Sequence, residues 1–239
     1  MKQVQPNGPA GDSSAAAGGN TAAPPVLTLS SKNYSSWSLR GWLLCKIAGL
    51  EIEEQVVSFD DPDNRAELLL MAPSVLVPRL NHNGAGIWDI LAIAEYLAEL
   101  SPEAGLLPGD RIARAHCRSV SGEMHSGFYN LRSALPMNLR GHYRNFKVFA
   151  GARPDIERIE AIWAECMERW GGPFLFGGAP TMADAMFAPV CTRFRTYDIA
   201  LTAVSNAYCD TIMAWPPMVE WIAAAKEERD DFEELDMEF

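Results

Sequence analysis

The sequence predicts a small α/β unit followed by an all-helical one. Short β-prone runs alternate with helical patterns up to residue 101, no convincing strand pattern follows Pro108-Gly109, and Pro or Gly separates the later helical runs. The chain has 239 residues, enough for one large domain or two small ones.

Residues 1–24 are dominated by Ala, Gly, Ser, Pro and Asn, with too little apolar surface to offset ordering entropy. A disordered tail is expected there, and the lack of a continuous apolar stretch makes it a poor secretory signal. Order is expected from Val26-Leu27-Thr28-Leu29, a β-prone run. A polar turn follows, then an apolar-periodic helix from Ser36 to Ala48 that Gly49 stops. Residues 54–59 read as a second strand, 63–71 as a short helix ended by Pro73, and 75–80 as a third strand. Asn83-Gly84 turns the chain into a fourth strand through Ile87-Trp88, and 89–99 is a strongly amphipathic helix. Beyond it, helical periodicity occupies 111–135, 154–170, 182–197 and 217–226.

Composition narrows the function classes. Twenty Lys+Arg against 31 Asp+Glu give a net charge of −11, which disfavours binding a phosphate backbone through a broad basic face. No apolar run approaches the ~20 residues of a membrane-spanning helix. The five cysteines form no C-x-x-C pair and no disulfide framework, which suits a reducing compartment. The four histidines lack helical metal-site spacing, so no metal is expected.

Four features carry chemistry. Ser35-Ser36-Trp37-Ser38-Leu39-Arg40 lies between the first strand and the first helix, where Ser35 or Ser36 can cap the helix and its N–H groups and dipole favour an anion. Val77-Pro78 places a proline in the third strand, either as an edge or bulge residue or as a cis bond. Asp89 is a candidate N-cap, with Ile90 and Ile93 directed to the core. Thr181-x-x-Asp184 reads as a capping box, which makes Asp184 structural.

In this order and spacing, these features resemble the soluble glutathione S-transferase family over roughly residues 26–228. The S-S-x-S-x-R run is most similar to the serine-type, zeta-like (maleylacetoacetate isomerase) branch and its bacterial relatives. The resemblance implies a thioredoxin-like glutathione-binding domain over 25–101, an all-helical substrate domain over 109–228, and an acidic tail over 229–239. Glutathione is then the co-substrate and a small electrophile its partner, with the sulfur attacking as thiolate. A free thiol has a pKa of about 8.5, and lowering it by about two units takes ~2.7 kcal/mol, within reach of one hydroxyl donor and a helix end.

The resemblance gives the thiolate contact to Ser35, with Ser36 as the alternative. It makes Val77–Pro78 a cis bond that turns backbone toward glutathione, and it gives Asp89 the γ-glutamyl end. Two positions depart from the family pattern: Leu76 replaces a Lys or Gln, and Ile90 replaces a serine. They imply weaker glutathione binding. Met124, Phe128 and Arg132 would line the electrophile site, although a Met and aromatic cluster at helical spacing also fits a core. The implied protein is a cytoplasmic homodimer, a transferase or isomerase with a place in detoxification. A second reading, favoured by Leu76 and Ile90, is a catalytically silent ligand-binding or scaffold protein.

Overall fold

The computed structural model describes residues 24–57 and 76–228. Four short strands form one mixed sheet: β1 (Val26–Leu29), β2 (Glu53–Val56), β3 (Arg79–His82) and β4 (Ala85–Trp88), in the order β2-β1-β3-β4. β1 runs parallel to β2 and antiparallel to β3, and β3 antiparallel to β4. The parallel pair needs a crossover. That crossover is α1 (Ser36–Ala48), capped by Ser35 and closed by Gly49 at φ 67, whose N–H reaches the carbonyls of Cys45 and Lys46. The β3–β4 hairpin turns through Asn83 and Gly84 at φ 49 and 82, the left-handed pair that a tight two-residue hairpin requires.

Seven further α-helices follow among the described residues: α2 (Ile90–Leu100), α3 (Arg111–Ser126), α4 (Tyr129–Ala134), α5 (Arg153–Trp170), α6 (Met182–Thr196), α7 (Ala203–Ala214) and α8 (Pro216–Glu227), with short 3-10 turns at Pro102–Ala104 and Ala150–Ala152. Helix α1 packs on β1 and α2 on one side and against α6 and α8 on the other, so it is shared between the sheet and the helical region. Trp163 on α5 is the hub of the helical core, edge-on to Phe187, Phe194 and Tyr208. The sheet order and the helices after it form the thioredoxin-like plus all-helical architecture expected from the sequence.

Some expected elements are altered. The helix expected over 111–135 is two helices, because Phe128 adopts φ 59 and breaks the ladder directly after Gly127. β3 begins at Arg79, later than expected, because Pro78 has no N–H to give a ladder. α7 is not among the helices that the sequence predicts. The short helix expected over 63–71, the tail expected over 1–24 except for its last residue, and the acidic end over 229–239 lie outside the described residues.

Candidate active site

The N-terminal turn of α1 is the centre of the site. Ser35 caps it: its Oγ accepts from the Ser38 N–H at 3.2 Å and donates to Ser38 Oγ at 2.9 Å. Ser38 is fully buried and also accepts from the Ser30 N–H at 3.0 Å, so it braces Ser35 against β1's end. Ser35 is half-buried, whereas Ser36, the first helical residue, is 7% exposed. Of the two serines, Ser35 offers a ligand the more accessible hydroxyl.

The Val77–Pro78 bond is cis. The proline ring lies on α1 at Gly41, where an added Cβ would sit 2.6 Å from Pro78 Cγ. Glycine in mid-helix is ordinarily unfavourable; here it admits the loop before β3. Ile90 Cδ1 lies 3.6 Å from the same point. Ile90 is 1% exposed and packs into the core, as its apolar side chain implies, so its backbone rather than its side chain can face a ligand. Leu76, by contrast, is 59% exposed.

Asp89 caps α2 at φ 72 and ψ 134, an unfavourable backbone for a residue with a Cβ and one that concentrates at functional sites. One carboxylate oxygen accepts from the Leu91 N–H at 2.8 Å and the other lies 3.2 Å from His125 Nε2 on α3. The sequence offered no partner for His125; the fold supplies Asp89. His125 in turn meets the Trp37 ring edge-on, centroids 5.3 Å apart. The first turns of α1 and α2 and the last turn of α3 therefore converge.

Trp37 also receives two guanidinium groups, Arg40 at 4.6 Å and Arg132 at 5.7 Å from the ring centroid. Arg40 is 1% exposed; its Nε donates to the Met186 carbonyl at 2.9 Å, but its Nη1 is buried with no partner. Arg132 is half-buried and likewise has an unpartnered, buried Nη1. Arg193 on α6 is 5% exposed and donates to the Leu135 carbonyl at 3.1 Å. Burial, then the neighbouring Arg193 and Arg132, hold the Arg40 pKa well down; burial, then Arg132, lower Arg193 to about 10. Among the described residues, no carboxylate pairs with any of these three arginines.

Arg132 thus stands with this cluster. The other two residues expected on the electrophile side are buried: Met124 is fully enclosed and Phe128 is 7% exposed. Their apolar side chains fill the core beneath the site, and the expectation of a substrate contact from Met124 is corrected accordingly. Trp37 and Ser38 were read only as part of the Ser35–Arg40 run, without a role of their own, and Gly41 and Arg193 were not singled out from the sequence. Only Trp37 and Arg40, three apart on one helix face, carried a local signal of their pairing.

The mixed sheet, the helices that follow it and the serine-capped start of α1 together define a two-part thioredoxin-like and all-helical fold. Residues 34–100 match the glutathione S-transferase N-terminal domain, and residues 146–224 the glutathione S-transferase C-terminal domain. A probable maleylacetoacetate isomerase of Caenorhabditis elegans is 27% identical over 74% of this chain and 82% of its own. The maleylacetoacetate isomerase of Rhizobium meliloti (strain 1021) is 33% identical over 57% and 66%. Among solved structures, the maleylacetoacetate isomerase of Anaeromyxobacter dehalogenans, with glutathione bound in its active site, superimposes with a TM-score of 0.60 at 23% identity, covering 83% of this chain and 94% of that one. The chain belongs to the glutathione S-transferase family, with maleylacetoacetate isomerases among its relatives. Its activity is that of a glutathione-dependent transferase or isomerase.

Proposed function

We propose that the protein is a glutathione-dependent isomerase whose electrophile is a conjugated carboxylate, with Ser35 as the thiolate-contacting residue. The observation that carries this reading is the set of three arginines at the α1 end, two with buried unpartnered Nη1 groups and, among the described residues, none with a carboxylate. Lowering Arg193 to about 10 corresponds to about 3 kcal/mol of destabilisation at neutral pH, where the side chain is charged in both folded and unfolded states. An anionic substrate offsets that cost. The relatives named maleylacetoacetate isomerase act on such an anion by their name.

Glutathione would lie along the backbone before Pro78, with its sulfur at the first turn of α1. The Ser35 hydroxyl would turn its proton from Ser38 Oγ to the sulfur while still accepting from the Ser38 N–H. The helix end adds its N–H groups and dipole. The thiolate adds to one carbon of the double bond, and its electron pair forms the new C–S bond as the π pair moves onto the conjugated carbonyl oxygen. Rotation about the resulting single bond follows. The enolate then re-forms the double bond and expels the thiolate, so glutathione is returned unchanged. Arg132, the most accessible of the three arginines, would hold the substrate carboxylate, with Arg40 and Arg193 behind it. The reading includes a cytoplasmic homodimer, which the family resemblance supports.

Ser35→Ala tests the assignment. Following the ultraviolet absorbance of the bound thiolate against pH should show its ionisation midpoint moved up by about one to two pH units, equivalent to one charge-assisted hydrogen bond. Glutathione affinity should change much less. An unmoved midpoint, with a large shift in Ser36→Ala, would transfer the role to Ser36.

A further inference from the structure

The loop that delivers Ser35 is held by the end of α8. Glu228, the residue after that helix, places its carboxylate on the turn between β1 and α1. One oxygen accepts from Ser31 Oγ at 2.7 Å and the Asn33 N–H at 2.9 Å; the other accepts from the Lys32 N–H at 2.8 Å. Successive backbone N–H groups that converge on one anion form a strong, directional seat. The Glu228 carbonyl is itself fixed by Arg140 Nη1 at 3.0 Å, and Trp221 Nε1 donates to the Lys32 carbonyl at 2.9 Å.

The grip reaches Ser35 through two steps. Ser31 Oγ, bound to Glu228, also accepts from the Tyr34 N–H at 3.2 Å, and the Ser31 carbonyl accepts from the Ser35 N–H at 3.0 Å. On the other side, Asn33 is fully buried; its Oδ1 accepts from the Leu139 and Arg140 N–H groups at 2.7 and 3.1 Å. Without Glu228, the Ser31 hydroxyl and the Lys32 and Asn33 N–H groups lose their shared acceptor. The turn can then relax, and the N-cap geometry of Ser35 with it.

We infer that Glu228 is a positioning residue for the reaction: its carboxylate fixes the β1–α1 turn so that the Ser35 hydroxyl stays aimed at the thiolate. The inference rests on the reading of Ser35 given above. A displacement near 1 Å in a catalytic group costs up to about a hundredfold in rate, so a side chain remote from the substrate has leverage here.

The test uses the full chain and glutathione as the probe. Glu228→Ala, Glu228→Gln, Ser35→Ala and the double variant Ser35→Ala/Glu228→Ala are compared by the pH midpoint of bound-thiolate ionisation and by glutathione affinity. Glu227→Gln, at an exposed position beside Glu228, is the control. Glu228→Ala should raise the midpoint by about half to one pH unit with less than about threefold change in glutathione affinity. Glu228→Gln, which keeps an acceptor oxygen, should recover part of the shift. In the Ser35→Ala background Glu228→Ala should add nothing, because both changes remove the same contact. A midpoint that moves in Ser35→Ala but not in Glu228→Ala overturns the role of Glu228 alone, as does an additive double variant. A midpoint unmoved by Ser35→Ala removes the reading of Ser35, and the inference falls with it.

Discussion

Helix α6 carries two buried charges nine residues apart, and they are treated in opposite ways. At its start, Asp184 accepts four hydrogen bonds: from the Leu175 N–H and the Tyr208 hydroxyl on one oxygen, and from the Thr181 N–H and hydroxyl on the other. Toward its end, Arg193 donates to the Leu135 carbonyl and faces Arg40 and Arg132, with no acid beside it among the described residues. Both residues are almost completely enclosed. A buried polar group is ordinarily satisfied by its own chain, and the exceptions call for an explanation. Asp184 is satisfied and holds the fold together; Arg40 and Arg132 each keep an unpartnered buried Nη1, and the function proposed above gives that place to the substrate. Burial alone does not separate the two roles. Completeness of pairing does.

Removing the satisfied charge has the largest effect. Asp184→Ala leaves four donors without an acceptor and should cost about 3–5 kcal/mol in urea unfolding, with loss of the folded state as its extreme. A loss below about 1 kcal/mol would break the comparison at its structural end. Making a new unsatisfied group comes next. Ile90→Ser places a hydroxyl beside Gly41 and Pro78, and should cost about 2–3 kcal/mol from lost packing and polar burial. If the variant instead tightens glutathione binding without that loss, the hydroxyl reaches the ligand and position 90 belongs to the site after all.

The smallest effect is expected where a charge is paired but wet. Arg118 makes two bonds to Glu95, linking α3 to α2, yet both side chains are more than two-fifths exposed. Arg118 holds the Glu95 carboxyl below its usual value, so the pair's stabilisation is present at neutral pH and is lost as pH falls through that lowered value. Solvent screening limits it, and Glu95→Gln should cost less than about 1 kcal/mol, a difference that disappears in acid and in high salt.

Local chemistry was legible in the sequence; long-range partnership was not. Ser35, Gly49, Asn83-Gly84, Asp89 and Thr181 with Asp184 each act on backbone within a few residues, so spacing alone revealed the caps and turns. Helix α7 was missed because its buried face is Ser205, Tyr208, Cys209 and Ile212, in which a serine interrupts the apolar period. The break at Phe128 was hidden because a phenylalanine at positive φ has no sequence signature. The arginine cluster joins Arg40, Arg132 and Arg193 from three helices, and Glu228 closes on a turn nearly two hundred positions earlier. Neither arrangement leaves a trace in any short window. Ile90 shows the same limit in a different form: its departure from the family's serine and its core direction were visible, but its packing beside Gly41 and Pro78 was not.

The most direct test of the account is the affinity of the glutathione-saturated protein for maleate, a small cis-dicarboxylate, measured by titration calorimetry on the wild type and on Arg132→Met. A hydrogen-bonded charge pair contributes about 1.5–3 kcal/mol, so the variant should bind maleate at least about tenfold more weakly. Its ligand-free stability should be equal or higher, because Arg132 no longer repels Arg40 and Arg193. Equal maleate affinity in the two proteins, or no binding by the wild type, would contradict the assignment of the arginine cluster to an anionic substrate.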